Sequence, residues 1–210
     1  MSEAVITLII FGAGGHAAIV IDIARSINPA WDIRLFDGAD KCLPVLGHEV
    51  ESGLPDPKTL HPDHCRVVVA IGEAAARSAV TLQLRELGYS FITLVHPRAY
   101  IGTLVTLGHG TVVCANATVN TRAALSDGCI VNTGAIIEHD CRLESFCHVS
   151  PGAVLAGGVK LGTQTWIGAN AIIKETCTIG ANVVVGAGSF VSSDLNNNGT
   201  YVGSPACRIN

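Results

Sequence analysis

With 210 residues the chain has room for two modest domains or one large one. A formal net charge of −4 and the lack of any basic run exclude nucleic acid as a natural partner. The longest apolar stretch, residues 4–11, is far too short to cross a bilayer and follows no positively charged leader, so neither membrane insertion nor export is expected.

Residues 5–11 read as a buried strand, followed by Gly12-Ala13-Gly14-Gly15-His16-Ala17 and an apolar helix over 17–26. A second strand over 33–36 ends at Asp37. A third covers 66–71, a helix 73–87 and a fourth strand 91–95, just before His96-Pro97. Strands alternating with helices imply a small parallel sheet, so residues 1–97 are expected to form an α/β domain of half-Rossmann type. Gly12, Gly14 and Ala17 fit the pattern G-x-G-x-x-G/A, whose glycines let a phosphate approach a helix N-terminus. Asp37 follows at about the twenty-residue distance from which a carboxylate reaches a ribose or base. A complete dinucleotide fold needs two βαβαβ halves, and only one fits before residue 100. The pattern therefore points to a single nucleotide, with or without an attached sugar, rather than NAD. A purely structural α/β cap stays open as the plainer reading.

From residue 101 to about 196 an aliphatic residue recurs every six positions, from Ile101 and Leu107 through Ile137, Leu143 and Val149 to Val185 and Val191. Four places after each comes a mostly small residue, such as Ala123, Ala135, Cys141, Cys147 or Ala153. Strand side chains alternate, so the small residue and the next aliphatic, two apart, face inward together. The third and fourth positions turn a corner, and the second and sixth face out. A strict hexad predicts a parallel β-helix over 98–210, whose coils repeat every eighteen residues and stack about 4.8 Å apart. Ordinary sandwich turns do not keep constant spacing over so long a stretch. Cys129, Cys141, Cys147 and Cys177 all occupy the small inward position, where a thiol packs as a small hydrophobe. With no C-x-x-C pattern, no metal is expected, and the natural setting is a reducing cytoplasm.

Two histidines stand apart from the loop and surface positions of the others. His139 is a corner residue followed by Asp140, and His148 faces outward. A neighbouring carboxylate favours the imidazolium, so His139-Asp140 reads as a general base with its orienting acid. Eighteen residues on, Gly157 stacks on His139 and offers a backbone N–H as oxyanion donor. The same step stacks Pro151, Ala169 and Ala187 in a column of small residues, a groove suited to a thin pantetheine arm.

Together, residues 12–16, Phe36-Asp37, Ala70-Ile71-Gly72, Val131-Asn132-Thr133, Glu138-His139-Asp140-Cys141, His148-Val149-Ser150-Pro151-Gly152 and Val202-Gly203-Ser204-Pro205-Ala206 carry a resemblance over nearly the whole chain. The chain resembles the bacterial hexapeptide-repeat sugar acetyltransferases with a nucleotide-binding N-terminal domain. Within these it is most similar to the N-acetyltransferases of UDP- or GDP-linked 4-amino sugars that serve glycan biosynthesis. Sialic acid O-acetyltransferases are related, and O-acetylation is the alternative activity. The resemblance implies a left-handed β-helix, a homotrimer with active sites between subunits, and acetyl-CoA bound between adjacent helices. It implies His139 as the base, Asp140 raising its basicity, and His148 near the acetyl-CoA. Ala169 and Ala187 match positions where backbone meets this co-substrate, and Gly14, Gly15, His16, Asp37 and Gly72 match the nucleotide-sugar site. Some members of the family have glutamate where Asp140 stands.

Overall fold

The computed structural model describes residues 7–40 and 42–209, so the first two residues of the strand expected over 5–11 lie outside the described part. The chain divides into two compact units between Leu94 and Val95. The sequence pattern sets that division after Pro97.

In the first unit β1 (Thr7–Phe11) lies between β2 (Asp32–Asp37) and β4 (Cys65–Val69), and β3 (Val50–Ser52) adds to the far edge of β2. All pairings are parallel, with Phe11 level with Phe36 and Val69. Helix α1 (Gly15–Ile27) buries Ala17, Val20, Ile21, Ile23 and Ala24, a spacing that puts them on one side of a 3.6-residue turn. Helix α2 (Ala74–Glu86) starts at Glu73, whose carboxylate accepts hydrogen bonds from the N–H groups of Ala75 and Ala76 and so closes two of its free donors. The strand expected over 91–95 does not form. Phe91 makes one parallel bridge to Val67, and Leu94–Val95 is a separate two-residue strand.

The second unit is a parallel β-helix with three faces. Face I carries Thr106–Leu107, Ala124–Leu125, Arg142–Leu143, Lys160–Leu161 and Thr178–Ile179. Face II includes Val112–Val113, Ile130–Val131, His148–Val149, Trp166–Ile167 and Val183–Val185, and face III runs from Tyr100–Ile101 to Phe190–Val191. Partners are eighteen residues apart, as Ile130 with His148 and Arg142 with Lys160. The last coil is two residues shorter, since Val185 pairs with Tyr201 and Ile179 bridges to Leu195, so the hexad ends sooner than the spacing predicts.

The aliphatic and small positions fill the interior together: Ile137, Cys141, Cys147, Val149, Ala153 and Leu155 are each 0 % exposed. The thiols do more than pack. Cys129, Cys141 and Cys147 donate to the carbonyls of Glu144, Ala156 and Gly162 at 3.3, 3.3 and 3.1 Å, and Thr165 donates to Gly180 in the same way. A small side chain with a single donor thus satisfies a carbonyl of the next coil without taking up core volume. Burial pushes the Cys141 thiol up to about 11, which leaves it protonated and unreactive at neutral pH.

Each corner turns on a residue of positive φ at the fourth hexad position, as at Asn116 (58°), Arg122 (59°), Asp140 (63°), Gly158 (71°) and Asn170 (55°). From Arg122 onward its N–H donates to a carbonyl nineteen residues earlier, for example Asp140 to Thr121 at 3.2 Å and Gly158 to His139 at 2.9 Å. These bonds lock successive corners into columns. Since Ile137 is fully enclosed, Ile137→Ala is expected to lower unfolding free energy by about 2–5 kcal/mol through lost burial and a residual cavity. A urea midpoint equal to that of the parent protein would contradict this packing.

Candidate active site

One corner column gathers four residues. Arg122 and Asp140 hold the same hexad position in consecutive coils and form a two-pronged ion pair, Nε to Oδ1 at 2.7 Å and Nη2 to Oδ2 at 2.8 Å. Asp140 Oδ2 also meets His139 Nδ1 at 2.8 Å. Arg122 foremost, and His139 after it, hold the Asp140 carboxyl well below the usual carboxylate range. Above, the His139 ring lies where a side chain on residue 157 would be: a Cβ built on Gly157 would sit 2.7 Å from both Cε1 and Nε2. A larger residue at 157 would push that ring out of its place. Among the described residues the Gly157 N–H donates to no group of this chain, while its carbonyl accepts from the Thr176 N–H at 2.8 Å. The structure thus brings His139, Asp140 and Gly157 together.

His148 belongs to face II. Its ring stacks on Trp166 with centroids 5.8 Å apart and planes 5° from parallel, and its Nε2 is 3.2 Å from Asn132 Nδ2. Trp166 in turn donates from Nε1 to Ser150 Oγ at 2.7 Å. At the next corner the N–H of Asn170 donates to Pro151 O and that of Gly188 to Ala169 O, which stacks Pro151, Ala169 and Ala187 in one column. His139 and His148 therefore lie on different sides of a coil.

In the first unit a cleft of about 350 Å³ is lined by residues 12–16, Asp37 and 70–72, so Gly14, Gly15, His16, Asp37 and Gly72 all face one space. Asp37 shapes it, since its carboxylate accepts from the N–H groups of Ala13 at 2.8 Å and Ala39 at 2.9 Å. Gly12 is needed by the chain itself: its φ is 122°, and a Cβ would lie 2.8 Å from Ala70 O. Gly14, Gly15 and Gly72 are not. Their φ values are unexceptional, and a Cβ on any of them would meet nothing within 4 Å. Glycine at these three positions leaves the backbone open toward the cleft. Beneath the rim, Arg77 is 1 % exposed and donates from Nη1 to the carbonyls of Ile71 and Gly72, both at 2.8 Å. A buried cation under a glycine loop at a helix N-terminus favours an anion. Among the described residues His16 Nε2 is buried without a hydrogen-bond partner, and burial, with Arg77 second, lowers the His16 pKa to about 4.

Arg122 and Trp166 are missed when the sequence is read only along the chain, yet each lies one eighteen-residue step from a residue already singled out. Arg77 gives no such signal.

Residues 7–84 match the PglD N-terminal domain family and residues 158–193 the bacterial transferase hexapeptide family. PerB from Caulobacter crescentus, solved in complex with CoA and GDP-perosamine, is 35 % identical over 100 % of both chains, with a TM-score of 0.91. The acetyltransferase domain of PglB from Neisseria gonorrhoeae, solved with acetyl coenzyme A, is 33 % identical over 97 % of this chain and 98 % of that one, with a TM-score of 0.90. WeeI from Acinetobacter baumannii, at 22 % identity over 97 % of this chain and 100 % of its own, shares the fold with a TM-score of 0.89. No curated protein matches the chain significantly. A PglD-type α/β unit followed by a hexapeptide β-helix defines a class of sugar-modifying transferases. The chain belongs to the family of hexapeptide-repeat nucleotide-sugar N-acetyltransferases.

A neutral histidine at pH 7 that binds protons only near pH 4 has a pH signature. The unfolded chain takes up its proton near pH 6.5, so folding loses stability as pH falls from about 6.5 toward 4. The thermal midpoint of the protein is expected to drop over this range, and His16→Gln to flatten that drop. Parallel pH curves for the two proteins would show that His16 is not the group responsible.

Proposed function

We propose that this protein transfers an acetyl group from acetyl-CoA to the amine of a UDP- or GDP-linked 4-amino-deoxysugar, directly and with His139 as general base. The observation that carries this is the His139 ring, fixed at Nδ1 by Asp140 and seated over Gly157, in a chain of this family. With Nδ1 turned to the carboxylate, Nε2 is the free ring nitrogen, the atom a base needs within reach of the reacting proton. The amine nitrogen attacks the thioester carbonyl, Nε2 takes the proton the nitrogen gives up, and the C–S bond breaks as the tetrahedral centre collapses. The proton then passes to the departing sulfur, which leaves as the CoA thiol. The oxyanion formed on the way is met by the Gly157 N–H. No covalent enzyme intermediate is required, and the Cys141 thiol, kept protonated by burial, would make a poor nucleophile.

The remaining residues take supporting roles in this reading. Residues 12–16, Asp37 and Gly72 bind the nucleotide sugar, whose phosphates face the glycine loop above buried Arg77. His148 with the Pro151, Ala169 and Ala187 column receives the acetyl-CoA. A homotrimer with active sites between subunits is supported by face III, whose outward column of Tyr100, Thr118, Ile136, Val154, Ile172 and Phe190 is almost wholly apolar. Tyr100 and Ile172 are 60 % and 46 % exposed in the single chain. Face I, by contrast, presents Thr106, Arg142, Lys160 and Thr178. No described helix is long and apolar enough to cross a membrane. We assign the enzyme to the cytoplasm, whose reducing conditions suit its free cysteines.

Thiol release from acetyl-CoA is expected with one or more UDP- or GDP-linked 4-amino sugars in a panel that also holds CMP-linked and hydroxyl-only acceptors. His139→Ala should lower the turnover number about 10²- to 10⁴-fold. Transfer to hydroxyl acceptors alone would overturn the N-acetylation reading, and near-normal turnover of His139→Ala would remove it from the mechanism.

A further inference from the structure

We infer that Arg122 is a positioning residue for acetyl transfer, clamping Asp140 in the orientation that holds His139 by Nδ1 and leaves Nε2 free. This rests on the reading of His139 as the base. The side chains of His139, Asp140 and Arg122 are 57, 40 and 54 % exposed, so water competes for every bond among them. An aspartate at an exposed corner, bonded only to a histidine, would turn about its own side-chain torsions. The guanidinium fork removes that freedom, since two parallel N–H···O bonds fix the carboxylate plane as well as its distance.

The fork is itself held at both ends of its residue. The Arg122 N–H donates to Thr103 O at 3.0 Å, and its carbonyl accepts from Arg142 Nη1 at 3.2 Å. Because Arg122 and Asp140 are the same corner position one coil apart, the fold supplies the spacing between them without a long, mobile side chain reaching across the surface. Oδ2 is shared by Arg122 Nη2 and His139 Nδ1, so whatever moves the guanidinium moves the atom that orients the imidazole.

Charge gives the inference a signature that a merely structural residue would lack. The ionisable groups around the ring are Glu138, whose carboxylate lies 3.4 Å from the His139 N–H, Asp140, Arg122 and, beyond the Arg122 carbonyl, Arg142. Gly157 above contributes none. These four groups balance, two of each sign. Removing the Arg122 charge leaves an excess negative charge beside Nδ1, which stabilises the imidazolium. The base then gives up its proton only at higher pH.

The test compares Arg122→Gln, Arg122→Lys and Asp140→Asn with the parent protein, using the acceptor found active in the thiol-release panel. For Arg122→Gln we expect turnover to fall about 5- to 50-fold, the KM for acetyl-CoA to stay within about twofold, and the acid limb of the kcat/KM profile to move up by about half a pH unit or more. Arg122→Lys, which keeps the charge but not the fork, should leave the limb in place with intermediate turnover. Asp140→Asn should move the limb down. Two-bond ¹H–¹⁵N spectra of His139 at a pH above the limb give a readout independent of activity: one Nδ1–H tautomer in the parent protein, a mixture of both in Arg122→Gln. Unchanged turnover, limb and tautomer in Arg122→Gln, with His139→Asn inactive, would overturn the role of Arg122 alone. Full activity of His139→Asn would instead sink the general-base reading, and the tautomer spectra would then decide whether the clamp exists. If Arg122→Gln does not fold, Arg122→Lys decides: parent-like turnover with an unmoved limb refutes the need for the fork.

Discussion

The corner hydrogen bond, from the N–H of one fourth-position residue to a carbonyl nineteen residues before it, is what the rest of the second unit depends on. It runs from Arg122 to Thr103, Asp140 to Thr121, Gly158 to His139 and Thr176 to Gly157, so each corner rests on the one beneath. A left-handed residue other than glycine costs about 1–2 kcal/mol, and that cost recurs at Leu104, Phe146, Gln164 and Thr176. At Phe146, Gln164 and Thr176 the fold tolerates it because a ladder bond on the residue's own N–H fixes it, to Asp127, Ser145 and Gly157. Asparagine and aspartate accept this backbone best. Asp140 therefore stands where the corner favours its residue type, and its chemistry comes at little conformational cost.

Columns follow from that ladder, and the site is a set of columns. Arg122 under Asp140 is an ion pair, His139 under Gly157 is a ring against a bare backbone, and His148 under Trp166 is a stacked pair. None of these contacts joins distant parts of the chain, since each spans one coil. The faces are sorted by the same rule: one outward residue per strand, repeated every eighteen positions, makes face I polar except at Ala124 and face III apolar except at Thr118.

The period that makes the β-helix also makes it legible. Register, inward residues, corner positions and the closeness of His139 to Gly157 all follow from counting in sixes and eighteens. What counting along the chain misses is the residue below: Asp140 reads naturally as the partner of His139, its neighbour, yet Arg122 is its stronger partner. The core thiols read as small hydrophobes because volume decides their position, and their hydrogen bonds to the next coil follow only from geometry. The first unit has no such period. Residues 91–95 are apolar enough to resemble a strand but join the sheet only at Phe91, while Val50–Ser52, short, preceded by Glu49 and holding Glu51, carries little strand signal and pairs at an edge. The glycine pattern is readable there, but which glycines the chain itself requires is not. Only the space around Gly12, Gly14, Gly15 and Gly72 separates them.

The two units meet the problem of charge in opposite ways. At the His139 corner every charged group is exposed, so water screens the ion pair and its value lies in direction more than in energy. A short, planar, two-pronged contact suits that task, because it keeps its geometry even where its net stabilisation is small. In the cleft of the first unit the cation is buried, and Arg77 donates to the carbonyls of Ile71 and Gly72. Its charge is felt in the cleft, where burial foremost, and Arg77 after it, lower the pKa of His16 to about 4. An anion entering between the glycine loop and the 70–72 rim would meet a positive potential, open backbone at Gly14, Gly15 and Gly72, and no opposing cationic imidazole to desolvate.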